Sequence, residues 1–203
     1  MRLVSETANF VIERHGGTPL AYEAIGAISG QPLERIFRLV WPGMSDADVL
    51  AYRDEYRARY DQIAIPATRL YRGAKATLRA FRRAGILQAT VTGKRARDCE
   101  RILRGLGIEN EVDAYLGGDL VPHPKPAPDL ALAALERLDV DPTDAAVIGD
   151  TRSDMLMGRD AGTRTIQVLW GYESEPLAEA DAVARTWREL RALVLDGPPG
   201  AAG

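Results

Sequence analysis

Cysteine is almost absent: Cys99 is the one example in a chain of 203 residues. A lone cysteine makes no internal disulfide and no cysteine-based zinc site. A reducing, cytoplasmic setting is the resulting expectation. Lysine is nearly as scarce. Of 26 basic residues only Lys75, Lys94 and Lys125 are lysine, so each is a candidate place for a compact ammonium rather than a planar guanidinium. No apolar stretch approaches the roughly 18 residues of a membrane helix, so no membrane partner is expected. The N-terminus lacks a basic segment followed by an apolar run and a small-residue cleavage site. There is no excess of basic charge either. The 29 acidic residues outnumber the basic ones and leave a net charge of −3, which argues against a nucleic-acid partner. Repeats and low-complexity tracts are missing, apart from the Gly197-Pro198-Pro199-Gly200-Ala201-Ala202-Gly203 tail, which is expected to fray.

What is present is an ordinary globular composition, 46% hydrophobic and 27% charged. The length suits one domain, or one with an insert. The pattern changes near Pro66. Residues 1–67 read as helices alone. Val4, Ala8 and Val11 share a face, Ser5 is a possible cap, and Gly16-Gly17 ends the run. Thr18-Pro19 offers a cap followed by proline at the first helical position, predicting a helix to about Ile28. Another starts at Pro32 and carries Leu33, Ile36, Phe37 and Val40. Ser45-Asp46-Ala47-Asp48 fits the capping pattern. The helix it opens sets Val49, Tyr52, Tyr56, Tyr60 and Ile63 on one stripe. Packing explains that stripe, and a substrate-facing role for one tyrosine stays open.

Residues 68–190 alternate instead. Short apolar runs at 86–91, 112–116, 145–148 and 165–169 are interleaved with amphipathic helices over 73–84, 95–106, 128–138, from Asp154 onward, and 186–195. That alternation predicts βα units and a parallel, Rossmann-like sheet. Residues 191–203 hold the end of the last helix and the tail. In an open parallel sheet, ligands bind beyond the carboxyl ends of the strands, so the residues just after each run carry the functional information.

After 86–91 come Thr92-Gly93-Lys94. After 112–116 come Gly117-Gly118-Asp119, then Val121-Pro122-His123-Pro124-Lys125-Pro126-Ala127-Pro128-Asp129. After 145–148 come Gly149-Asp150-Thr151-Arg152-Ser153-Asp154. One edge thus gathers a hydroxyl, an ammonium and two carboxylates. That set suits a phosphoryl group beside a hard cation, because carboxylate oxygens are the ligands magnesium takes. Each piece also has an ordinary reading. Thr92 or Asp150 could cap a helix, and Lys125 could be a solvated loop residue. Four prolines stiffen its loop, which suits a fixed charge.

Val91-Thr92-Gly93-Lys94, Lys125-Pro126-Ala127-Pro128-Asp129 and Gly149-Asp150-Thr151-Arg152-Ser153-Asp154 resemble motifs two, three and four of the haloacid dehalogenase (HAD) superfamily of phosphatases. The match is to the phosphoglycolate phosphatase-like branch with a helical cap. Leu70-Tyr71-Arg72-Gly73-Ala74, Ala161-Gly162, Trp170-Gly171-Tyr172 and Ala180-Asp181-Ala182-Val183 extend the resemblance over most of the chain. It implies an α/β fold: a cap at 1–67 and a HAD-like core at 68–190. It implies hydrolysis of a small phosphorylated substrate with Mg2+. Thr92, Gly93 and Lys125 would bind the phosphoryl group, Lys125 would also neutralise transition-state charge, Asp150 would ligate the metal, and Asp154 would support it directly or through water. Lys94 is less certain. Cys99 reads as packing, His123 as a loop residue near the site, and His15 as structural.

The family's first motif, Asp-x-Asp-Gly-Thr at a strand end, is not found. Its first aspartate is the nucleophile and its second the general acid and base. Met1-Arg2-Leu3-Val4-Ser5-Glu6-Thr7 resembles the family's segment just after that motif. Asp46-Ala47-Asp48 has two aspartates but no apolar strand before it. Without the nucleophile the covalent route fails. The strand that carries it lies at the centre of the family's sheet, so that position is expected to be empty, or partly filled by Leu3 and Val4. Buried unpaired edge groups cost roughly 1–3 kcal/mol each, and four or five would offset a domain's net stability of about 5–15 kcal/mol. Three accounts stay open. Translation starts upstream of Met1, where the frame encodes the motif; about ten residues are deleted before Ser5; or the chain is a non-catalytic, pseudophosphatase-like binding protein.

Overall fold

The computed structural model describes residues 2–28 and 32–196. Met1 and the 197–203 tail lie outside the described residues. The chain divides into two compact units, Met1–Thr68 and Arg69–Gly203.

The regular elements among the first unit's described residues are all helices. They are α1 (Arg2–Arg14), α2 (Tyr22–Gly26), α3 (Glu34–Val40) and α4 (Asp46–Ala67). Ala8, Val11 and Ile12 of α1, Phe37 of α3 and Val49 and Tyr56 of α4 are buried. Ser45 caps α4 by accepting from the Asp48 backbone N–H, as the capping pattern predicts. Tyr52 packs edge-on against Phe37 and Trp41 and stacks on His15, which bonds Glu55 at 2.7 Å.

Two expectations need correction here. The segment from Thr18 is not helical until Tyr22, because Asn9 clamps it. Its side-chain amide donates to the Leu20 carbonyl and accepts from the Leu20 N–H, both at 2.9 Å. Those bonds hold Leu20 outside a helical register. Ser5, Leu3 and Val4 lie inside α1 rather than at a cap or in a strand.

The second unit alternates helix and strand: α5 (Ala74–Arg83), β1 (Ala89–Thr92), α6 (Ala96–Gly105), β2 (Ala114–Gly117), α7 (Asp129–Leu138), β3 (Ala146–Gly149), α8 (Arg152–Asp160), β4 (Arg164–Val168), β5 (Ala182–Ala184) and α9 (Trp187–Leu195). Every strand pair is parallel. The α/β reading of the core therefore holds. α7 and α8 lay Leu130, Ala131, Ala134 and Met157 against Ala89 and Val91 of β1, Ala114 and Leu116 of β2, and Val147 of β3. Phe81 of α5 and Leu190 of α9 pack on Ile166 and Val168 of β4. β1 and β2 begin later than the apolar runs suggest, because side chains fasten the residues before them. Asp113 accepts from the Gln88 N–H, and the buried Gln88 amide donates to Leu78 and Glu111 carbonyls.

The strands form two sheets rather than one. Among the described residues, β1 pairs with β2, and β3 pairs with β4, which pairs with β5. β1 and β3 share the α7–α8 layer but no ladder. Exposure records the consequence. Ile148 of β3 and Ile166 of β4 are register partners, yet Ile166 is 0% exposed and Ile148 is 40% exposed. No described helix is long and apolar enough to cross a membrane.

Candidate active site

Three strand ends supply the candidate residues, and each is fixed by its own local device. β1 ends at Thr92, whose hydroxyl accepts from the Lys94 N–H at 3.3 Å. The N-cap of α6 is Arg95, so Thr92 is not spent on capping a helix. The turn is tied to the end of β2. Gly118 donates its N–H to the Lys94 carbonyl at 2.9 Å, and the Asp119 carboxylate accepts from the Ala96 N–H at 2.7 Å. Gly117 makes this approach possible, since a Cβ there would stand 2.0 Å from the Ala96 nitrogen.

Lys125, from the proline-rich loop, donates to Asp154 Oδ1 at 2.6 Å, and both side chains are largely withdrawn from solvent. The other oxygen, Oδ2, accepts from the Thr151 N–H and hydroxyl at 3.1 and 2.6 Å. Thr151 in turn caps α8, giving a reciprocal capping box. One carboxylate therefore caps the helix and positions the lysine. Gly149 permits this closeness, because a Cβ at that position would lie 2.3 Å from the Asp154 Cβ.

Asp150 is held from the opposite side. Its Oδ2 accepts from the Tyr172 N–H at 2.7 Å and its carbonyl from the Glu173 N–H at 3.1 Å. Gly171 is required there, since a Cβ would fall 2.2 Å from the Asp150 side chain. These bonds aim the carboxylate without consuming Oδ1, to which no described residue donates.

Lys94 stands near both groups, open to solvent. Lost hydration and then the Lys125 charge push its ammonium below the usual lysine range, while Cys99, Asp98 and Asp150 pull the other way; solvent access weakens the first cause. Cys99 is buried, and burial pushes its thiol up, which suits packing rather than nucleophilic work. His123 is exposed and bonds Asp129 Oδ1 at 2.9 Å.

Thr92, Gly93, Lys125, Asp150 and Asp154 thus fall at strand ends or against them. The Lys125–Asp154 pair is in direct contact, and Lys94 senses both Lys125 and Asp150. Asp119, Gly171 and Tyr172 hold the site together and carry no role from sequence reasoning. Their signals were the Gly-Gly-Asp after β2 and the Trp-Gly-Tyr run. A magnesium ion asks for hard oxygen ligands. Asp150 Oδ1 fits in kind, but Asp154 is already committed, and no group of three His, Cys, Asp or Glu side chains that could hold a metal occurs among the described residues.

Residues 1–168 match the family model for haloacid dehalogenase-like hydrolases. The chain belongs to that family. Within it, the chain is of the phosphoglycolate phosphatase-like branch. It is 30% identical over 168 residues to a phosphoglycolate phosphatase of Xylella fastidiosa, covering 83% of this chain and 73% of the relative. It is 31% identical over 181 residues to an N-acetylmuramic acid 6-phosphate phosphatase of Pseudomonas aeruginosa, covering 87% and 80%. A crystal structure of a haloacid dehalogenase-like hydrolase from Bacteroides fragilis superposes with a TM-score of 0.82 at 27% identity, over 93% of this chain and 91% of that one. The HAD-like α/β fold is thereby shown.

Proposed function

We propose that the strand ends of this HAD core are the phosphate and metal side of a magnesium-dependent phosphatase of small phosphomonoesters, completed by a carboxylate nucleophile standing between Thr92 and Asp150. The observation that supports it most is the Lys125–Asp154–Thr151 assembly. A flexible ammonium is fixed at the carboxyl end of the parallel strands by a carboxylate that is itself fixed by a helix cap. Such preorganisation is what electrostatic catalysis of phosphoryl transfer requires.

Each residue has its own task. The Thr92 hydroxyl and the Gly93 N–H donate to phosphoryl oxygens. Lys125 offsets the charge that grows on them. Asp150 Oδ1 would hold the magnesium ion, with Asp154 in support. When bound, the metal supplies further positive charge to the phosphoryl oxygens. With one carboxylate oxygen free for it, magnesium would keep most of its water and bind weakly. The two named relatives act on phosphorylated small molecules, which supports the substrate class for this chain.

The competing reading is a non-catalytic HAD protein that binds a phosphorylated ligand. Its support is that Asp-x-Asp-Gly-Thr occurs nowhere in the 203 residues. Assay of residues 1–203 against a phosphomonoester panel with magnesium is expected to give essentially no turnover, and robust turnover would remove the nucleophile from its proposed place. Binding of inorganic phosphate is expected to weaken in Thr92→Val. Unchanged binding would refute the phosphate side.

A further inference from the structure

β4 has two unlike faces. Ile166 and Val168 pack on Phe81 and Leu190. Thr165 and Gln167 alternate with them and so face the other side, and both are 0% exposed. A strand buried on both faces is normally apolar on both. Here two polar side chains are sealed away, and buried polar groups need partners. They find them in the irregular segment between β4 and β5, residues 169–181.

The Gln167 amide donates from Nε2 to the Glu175 carbonyl at 2.9 Å and accepts at Oε1 from the Leu177 N–H at 2.8 Å. One side chain thus satisfies a carbonyl and an N–H of the same segment. Thr165 holds the far end. Its N–H donates to Asp181 Oδ2 at 2.7 Å, and its hydroxyl accepts from the Asp181 N–H at 3.0 Å. The near end is tied where the Leu169 N–H meets the Ala184 carbonyl at 3.0 Å. Between the Leu169 and Glu175 anchors lies a short arch, residues 170–174. That arch reaches Asp150, with the Tyr172 N–H on Oδ2 at 2.7 Å and the Glu173 N–H on the carbonyl at 3.1 Å. Without Gln167, the next ties to β4 fall at Glu179 and Asp181. A longer free segment loses more conformational freedom when it closes on Asp150. The Glu175 carbonyl and the Leu177 N–H would also lose their partners.

We propose that Gln167 is a positioning residue: its buried amide pins residues 175–177 so that Tyr172 and Glu173 hold the Asp150 carboxylate in one orientation. Its meaning for catalysis rests on Asp150 being the metal side of the proposed phosphatase. The positioning itself does not.

The test is amide NMR on the full chain, read as hydrogen exchange and as shifts during titration with Mg2+ alone. Gln167→Leu neither donates nor accepts. It is expected to speed exchange of the Tyr172 and Glu173 amides about tenfold, the share of the lost hydrogen bonds, while the Ile166 and Val168 amides keep their protection. Gln167→Glu is the conservative variant. Protonated, its carboxyl donates to the Glu175 carbonyl and accepts from the Leu177 N–H, as the amide does. Ionised, it has nothing to donate. Burial raises the pKa of such a carboxyl. The charges around it are mainly acidic: Glu173, Glu175, Glu179 and Asp181 on the segment and Asp150 after β3, while Arg152 of α8 is already held by Glu179. Exchange at Tyr172 and Glu173, corrected for its intrinsic pH dependence, is therefore expected to match the wild type near about pH 5.5 and Gln167→Leu near about pH 8. Unchanged exchange at these two amides in both variants overturns the proposal. So does faster exchange confined to residues 175–177, which leaves Gln167 as packing alone. So does Gln167→Glu without recovery at the lower pH. Where Gln167→Leu does not fold, Gln167→Glu at the lower pH decides. A wild-type chain whose Asp150 amide does not shift with Mg2+ fails the metal reading alone, and exchange judges Gln167 in either case.

Discussion

Asp154 is the residue on which the site turns, because one carboxylate answers two demands. It accepts from Lys125 at 2.6 Å and from Thr151 at 2.6 Å. Removing one member of a largely buried ion pair strands the other's charge, at a cost of about 3–5 kcal/mol. Lys125→Met and Asp154→Asn are each expected to lower unfolding free energy by about 3 kcal/mol. The double variant should lose clearly less than the sum, since it leaves no stranded charge. Denaturant titration of the four proteins reads this directly, and additive losses would show that the pair is not coupled. The pairing of these two residues was legible only in part. Their presence at strand ends could be read from the apolar runs. That the aspartate would be committed to the lysine and to its own helix cap could not, because it depends on Gly149 letting the helix close on the strand.

At the scale of elements, the loop after β4 supports a comparable argument. Gly171 packs where a Cβ would stand 2.2 Å from the Asp150 side chain, and the neighbouring Tyr172 N–H is what orients that carboxylate. Gly171→Ala is expected to cost about 1–3 kcal/mol, the range for overpacking. It should also weaken magnesium binding at Asp150, measured by titration calorimetry. An alanine variant with unchanged stability and metal affinity would mean the loop does not aim Asp150. Elements were readable where a local signal dominates: Ser45 opens α4, and the alternation of helix and apolar run gives the parallel core. They were misread where a distant side chain overrides the local signal. Thr18-Pro19 has the chemistry of a helix start, but Asn9 from α1 captures Leu20 and keeps the chain out of the helix. Nothing within residues 18–21 announces that.

For the whole molecule, the consequence of two sheets instead of one is uneven protection. β4 is paired on both sides and buried, whereas β1 and β3 each leave one edge unpaired among the described residues, and two of the four β3 residues are exposed. Water reaches part of β3, which lowers the cost expected from a fully buried unpaired edge. Amides of residues 164–168 are therefore expected to exchange more slowly than those of 89–92 and 146–149 in the free protein. Equal protection would mean the edges are covered. The absence of Asp-x-Asp-Gly-Thr is visible in the sequence and predicts an empty sheet centre; the described residues form two separate sheets. Where the break falls, and that α7 and α8 still span it, came from packing.

The proposed chemistry needs a carboxylate at the end of the strand that fits this break. The most direct measurement is magnesium-dependent phosphate release by the chain carrying an N-terminal apolar strand that ends in Asp-x-Asp-Gly-Thr. Residues 1–203 alone are predicted to be inactive. The extended chain is predicted to turn over phosphomonoesters and to lose that activity when the first aspartate of the added motif becomes asparagine. Equal activity with and without the added strand, or activity that survives the asparagine, would contradict that chemistry.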